Sequence, residues 1–249
     1  MSAVLAVEHL NVNYGGLLAV DDVSIEVAAG TVHSLIGPNG AGKTTIIDAL
    51  SGFVATATGR IALDGRPVEM LPAHGRARAG LVRTFQSIEL FDDLDLRENL
   101  LVAAAPSRWW SPVVDAVVPS RARRGLDVEF ALDALGLSGL GDARPGELSH
   151  GQRRLAGVAR ALAARPRVVL LDEPAAGLDA DETAALGAVL RGLPERGIGV
   201  LLVDHDMTLV LDVSDTVTVV DFGRVIACGP PDTVRHDPAV VAAYLGGAT

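Results

Sequence analysis

A chain of 249 residues, 49% of them hydrophobic, holds enough apolar material for a substantial core, and its length permits one large domain or two small ones. Its 21 basic and 31 acidic residues leave a formal net charge of -10; such a surface repels a phosphate backbone, so no nucleic acid is expected as a partner. Mean hydropathy is +0.34, yet the apolar runs Val168 to Leu171 and Val200 to Val203 end at charges, far short of the ~18 residues a membrane-crossing helix needs.

The first residues, MSAVLAVEHL, carry Glu8 and neither a basic start nor a small-residue cleavage site, so no secretory signal is read and cytoplasmic residence is the expectation. LAVEHLNVNY and AVDDVSIEVAAG alternate apolar with polar residues between glycines, which predicts antiparallel strands. TVHSLIG then reads as a buried strand running into PNGAGKT, and TTIIDALSGF has apolar residues at helical spacing. ATATGRIALDGRPVEM predicts a further strand pair turned at Asp64-Gly65. From Leu96 to about Leu140 the pattern is helical, through LRENLLVAAA and LDVEFALDALGLSGL, interrupted by a stretch holding Pro106, Trp109, Trp110, Pro112 and Pro119. VVLLD, GVLLVD and SDTVTVVD are short apolar runs ending in acids. The helical patterns DETAALGAVLRGL and MTLVLDV separate them, which predicts an α/β fold with a parallel sheet under helices. Cys228, the sole cysteine, rules out an internal disulfide and is expected to be a small core filler in the strand-like run RVIACGP.

The run GPNGAGKT, residues 37–44, matches the phosphate-loop pattern, and strand before and helix after are the context that pattern requires. Gly37, Gly40 and Gly42 let the backbone turn with positive φ so that N–H groups converge on phosphate oxygens; Pro38, Asn39 and Ala41 complete the loop. Every basic residue is arginine except Lys43, whose compact ammonium suits a point contact to β and γ phosphates. The Thr44 hydroxyl is placed to coordinate Mg²⁺ and Thr45 to touch the α phosphate. VVLLDE ends in two adjacent carboxylates where an α/β sheet binds ligands. Asp172 is read as holding Mg²⁺, directly or through water, and Glu173 as polarising the attacking water.

LSHGQ, residues 148–152, resembles the signature of ATP-binding cassette (ABC) proteins, with Ser149, Gly151 and Gln152 opening a helix toward a γ phosphate that in this family belongs to the opposite subunit. The resemblance implies further roles. Tyr14 in NVNYGG resembles the aromatic that stacks on adenine, and Gln86 in RTFQSIELF the glutamine that senses Mg²⁺ and the attacking water. Asp179 in the GLD of residues 177–179 resembles the residue that crosses the dimer interface, and His205 in LLVDHD the switch histidine on the γ phosphate. Departures are His150, where glycine is usual, and the region from Ala104 to Leu126, which maps onto no motif.

The implied fold is a single P-loop NTPase domain with a RecA-like core. Residues 1–86 and 166–249 form that core with an N-terminal antiparallel β subdomain, and residues 87–165 form an α-helical signature subdomain. RTFQSIELFDDLDLRENLLVA and the long C-terminal run from VDHD to AYLG resemble ATP-binding subunits of branched-chain amino acid importers. Importers of urea or other amides read almost identically. The resemblance implies ATP and Mg²⁺, a second cassette identical or homologous, membrane-spanning permease subunits, a separate substrate-binding protein, and a peripheral place on the inner face of the membrane. A soluble cassette acting on nucleic acid or ribosomes is the alternative of another class; one signature and no sustained heptads oppose it. A regulatory module without turnover is opposed by the presence of Glu173 and His205.

Overall fold

The computed structural model describes residues 3–55, 58–84, 90–104 and 120–246. β1 (Ala3–Tyr14) and β2 (Leu17–Ala28) pair antiparallel, and β4 (Thr58–Leu63) and β5 (Arg66–Pro67) extend them into a four-stranded sheet of order β2-β1-β4-β5. Asp64 and Gly65 both have positive φ, 48° and 73°, the backbone that a two-residue turn of right-handed twist demands. β5 is shorter than the sequence pattern suggests: Val68 still donates to the Ile61 carbonyl at 2.8 Å, but the Ile61 N–H turns to the Glu69 carboxylate at 3.4 Å instead of returning a backbone bond.

The second sheet has six strands in the order β10-β9-β3-β8-β7-β6. In chain order these are β3 (Val32–Ile36), β6 (Leu81–Arg83), β7 (Val168–Asp172), β8 (Gly199–Val203), β9 (Thr216–Asp221) and β10 (Arg224–Gly229). All are parallel except β10, which folds back antiparallel on β9. β3, β7 and β8 are buried along their whole length, because both faces of the sheet are covered, and this is why they read as unbroken apolar runs. Their alternation survives as a choice between two cores. Val169, Leu171, Val200 and Leu202 join one core, while Val168, Leu170, Leu201 and Val203 join the other, with β1 and β2.

The helices are α1 (Lys43–Ser51), α2 (Ala73–Ala79), α3 (Leu96–Ala104), α4 (Ser120–Ala134), α5 (His150–Ala163), α6 (Ala180–Gly192), α7 (Met207–Val213), α8 (Pro231–Val234) and α9 (Pro238–Gly246). α3, α4 and α5 pack on one another. α2 has no counterpart in the sequence reading, since its one buried side chain is an arginine rather than an apolar stripe. Arg76 donates to the carbonyls of Ala49 and Leu50 at 2.5 and 2.8 Å, and to those of Glu69 and Leu71 at 2.7 and 3.0 Å. It thereby satisfies the last turn of α1, whose orphan carbonyls would otherwise lie buried.

Cys228 corrects the expectation of a core filler, because its side chain is exposed. It lies on β10, the edge strand, opposite Thr218, whose hydroxyl is 3.3 Å from the thiol. On the inner side of Thr218 sits buried His33, its Nε2 accepting from that hydroxyl at 2.8 Å and its Nδ1 donating to the Glu26 carbonyl at 2.9 Å. Burial pushes the His33 imidazole below its ordinary value of 6.5, against the opposing pull of the Glu26 carbonyl. The unfolded chain therefore takes up a proton before the folded one does as pH falls, so stability is full above about 6.5 and declines below it. We expect His33→Gln to flatten this acid-side decline, read as the urea midpoint against pH between about 7 and 5; an unchanged slope would show that His33 is not its source.

Candidate functional site

The loop between β3 and α1 owes its shape to contacts on both flanks. A Cβ on Gly37, whose φ is +154°, would lie 2.0 Å from the carbonyl oxygen of Val220 on β9, so no side chain fits there. Gly40 and Gly42 also have positive φ, as the loop pattern requires. α1 then begins with no side-chain cap at Gly42 and no acidic residue in its first turn. Its leading N–H groups and the positive end of its dipole are left for an anion.

A cavity of about 560 Å³ opens over this loop, lined by residues 39–45, by Glu173, and by Leu17, Leu18, Ala19, Phe222 and Gly223. Lys43 folds back across the loop, its Nζ donating to the carbonyls of Gly37 and Pro38 at 2.6 and 2.8 Å. Burial pulls its pKa below the ordinary lysine value, and the charges of Glu173 and Asp172 work against that pull. The two carboxylates from the end of β7 are thus in electrostatic contact with the one lysine of the chain, although they lie about 130 residues beyond it in sequence.

Asp172 is buried, and its Oδ2 takes a hydrogen bond from Arg83 at 2.9 Å. The other arm of Arg83 reaches Asp48 on α1 at 2.5 Å, so one guanidinium ties the last strand residue of β7 to the helix that follows the phosphate loop. Sequence reasoning missed Arg83; the available signal was an arginine directly after the apolar pair Leu81-Val82, three residues ahead of Gln86. Glu173 holds a left-handed backbone, φ 49°, with its N–H fixed to the Val203 carbonyl at 2.7 Å. That conformation is costly for a residue with a side chain, and it breaks the strand alternation so that Glu173 reaches the cavity Asp172 does not line.

Ser149 caps α5, its Oγ accepting from the Gln152 N–H at 3.1 Å while Oε1 of Gln152 accepts from the Ser149 N–H at 2.9 Å. Oε1 of Gln152 is thus engaged in starting the helix. A Cβ on Gly151 would lie 1.9 Å from the Glu182 carboxylate, so a side chain there would displace the end of Glu182, which accepts from the Asp179 N–H. Asp179 caps α6 by accepting from the Glu182 N–H at 2.8 Å, and Glu182 returns the bond at 3.1 Å. His150, the departure in the signature, sits against Gly177. His205 follows β8 with its imidazole largely exposed, and Tyr14 ends β1 about half exposed. None of Tyr14, Ser149, Gly151, Gln152, Asp179 or His205 lines the cavity over the phosphate loop of the same chain. Gln86 lies outside the described residues, as does most of the region from Ala104 to Leu126.

Residues 20–176 match the family described as ABC transporter. The chain belongs to the ABC transporter family. This cassette is an ATPase, with the nucleotide-binding function its family carries. Its residues 224–249 also match the family described as branched-chain amino acid ATP-binding cassette transporter. It is 41% identical to the high-affinity branched-chain amino acid transport ATP-binding protein BraF of Pseudomonas aeruginosa, with 98% of each chain covered. To LivG of Escherichia coli, which carries the same description, it is 39% identical, again over 98% of each. Among solved structures it resembles the ADP conformation of MJ1267, an ATP-binding cassette of an ABC transporter, with a TM-score of 0.86, 31% identity and coverage of 99% and 100% of the two chains. A nucleotide-free ATP-binding cassette from an ABC transporter gives a TM-score of 0.82 at 30% identity, covering 98% of this cassette and 99% of the other. Among the described residues no helix is long and apolar enough to cross a membrane.

Proposed function

We propose that this cassette binds and hydrolyses MgATP as one half of a pair and drives import of branched-chain amino acids through permease subunits, docked peripherally on the inner face of the membrane. The observation that carries the reading is that Glu173 and the uncapped start of α1 line one cavity. Backbone N–H groups of residues 39–45 and the ammonium of Lys43 hold the triphosphate, and Tyr14 receives the base. Thr44 and Asp172 offer hard oxygen donors, the kind magnesium takes when phosphate and water complete its shell. Bound magnesium would neutralise charge on the phosphates. Asp172 keeps Oδ1 for that purpose while Arg83 engages Oδ2. Glu173 orients and deprotonates water, His205 and Gln86 attend the γ phosphate, and Asp179 reaches across the pair. Ser149 accepts from its own helix with its oxygen, so its hydroxyl proton is free to serve the partner's γ phosphate.

Amino-acid import is supported by the match of residues 224–249 and by the descriptions of BraF and LivG. A separate substrate-binding protein then delivers the solute, and residues 87–165 act as the signature-bearing subdomain. The test is uptake of labelled leucine and of labelled urea by vesicles holding this cassette with the permease subunits that co-purify with it. Leucine uptake that stops in the Lys43→Ala variant supports the reading. Uptake of urea alone, or co-purification with ribosomes instead of membrane subunits, overturns it.

A further inference from the structure

Asp204 stands between β8 and His205, and its carboxylate is wholly buried. Oδ2 accepts the N–H of Ala175 at 3.0 Å. Oδ1 accepts the N–H of His205 at 2.8 Å and of Asp206 at 3.0 Å, and lies 3.7 Å from Nδ1 of the His205 ring. Ala175 is two residues beyond Glu173, on a loop that is gripped again one residue later. The carbonyl of Ala176 receives two arms of Arg154, a residue of α5, at 3.1 and 2.9 Å. A buried carboxylate is expensive to desolvate unless its oxygens are fully engaged, and here they are engaged by backbone donors of two different loops. An apolar filler would serve packing alone; three converging N–H groups call for a side chain that only accepts.

We propose that Asp204 is a positioning residue that locks the loop carrying Glu173 to the loop carrying His205. The two groups then approach a γ phosphate as one rigid unit, and Arg154 extends that unit to the signature helix. This rests on the roles assigned above to Glu173 and His205. Asparagine has the shape of aspartate, but one end of its amide donates, so it must set N–H against N–H on one of the two loops.

In the full-length purified cassette, Asp204→Asn is expected to lower kcat about 10²-fold, the size of loss a misplacement near 1 Å causes, with MgATP affinity held within about twofold because the phosphate loop is untouched. A double-mutant cycle decides between positioning and general weakening. If Asp204 acts through His205 and Glu173 together, adding Asp204→Asn to His205→Ala causes much less loss than the product of the two single effects. Losses that multiply, or turnover of Asp204→Asn equal to the parent, overturn the clamp. Should Asp204→Asn fail to fold, Asp204→Thr keeps one acceptor oxygen and runs the same cycle with a smaller loss. Glu173→Gln is measured in parallel. Normal turnover in that variant rejects the underlying assignment, whereas a multiplicative cycle beside an inactive Glu173→Gln rejects the clamp alone.

Discussion

Glu173→Gln is expected to reduce ATP turnover by about 10²- to 10⁴-fold, the span attributed to a single general base, while MgATP affinity stays within about threefold. Glutamine keeps the length and shape of glutamate and loses only the charge and the capacity to take a proton. The backbone that aims residue 173 does not depend on its side chain: the N–H is held by Val203, and the Ala176 N–H closes a turn on its carbonyl at 3.2 Å. The geometry should therefore survive the substitution, so a fall in turnover reports chemistry and not collapse. Because ATP would bind and persist, the variant should also accumulate as a nucleotide-bound pair, visible as a shift to twice the mass in gel filtration with MgATP. Parent-like turnover would remove Glu173 from the mechanism, and a large loss of affinity would mean that it serves binding rather than hydrolysis.

The parts of the molecule that were legible in the sequence are those whose chemistry is local. The phosphate loop is eight consecutive residues between a strand and a helix, and the α/β order follows from apolar runs separated by helical spacing. The start of the helix at Ser149 is likewise a short local pattern, closed by the reciprocal bond of Gln152. What the sequence concealed depends on register between distant segments. Arg83 meets Asp172 across 89 positions and Asp48 across 35, and nothing in LVRTF announces either partner. Arg76 reaches back to carbonyls 26 and 27 positions earlier, from a helix with no apolar stripe. Cys228 fell on the exposed side because β10 turned out to be an antiparallel edge strand, a placement that its composition shares with any buried strand. Asp204 belongs with these cases: its neighbour His205 is visible in the motif, whereas its bond to Ala175 exists only because β7 and β8 lie side by side.

Lys43→Ala should weaken binding itself, lowering affinity for ATP by about 10²-fold or more if charge-assisted hydrogen bonds worth about 1.5–3 kcal/mol each are lost at the β and γ phosphates. The ammonium now donates to the carbonyls of Gly37 and Pro38, so it already lies across the loop on which the phosphates are expected. Burial works against its charge, and Asp172 and Glu173 partly offset that cost, so a triphosphate arriving beside it brings a stronger counter-charge to a group that is poorly solvated. Lys43→Arg separates charge from shape. A planar guanidinium keeps the charge but cannot occupy the compact position between two carbonyls, and it should recover only a minor part of the affinity. Calorimetric titration with ATP in EDTA and in magnesium reads both variants, and equal affinity of Lys43→Ala and the parent would show that the loop holds phosphate through its backbone alone.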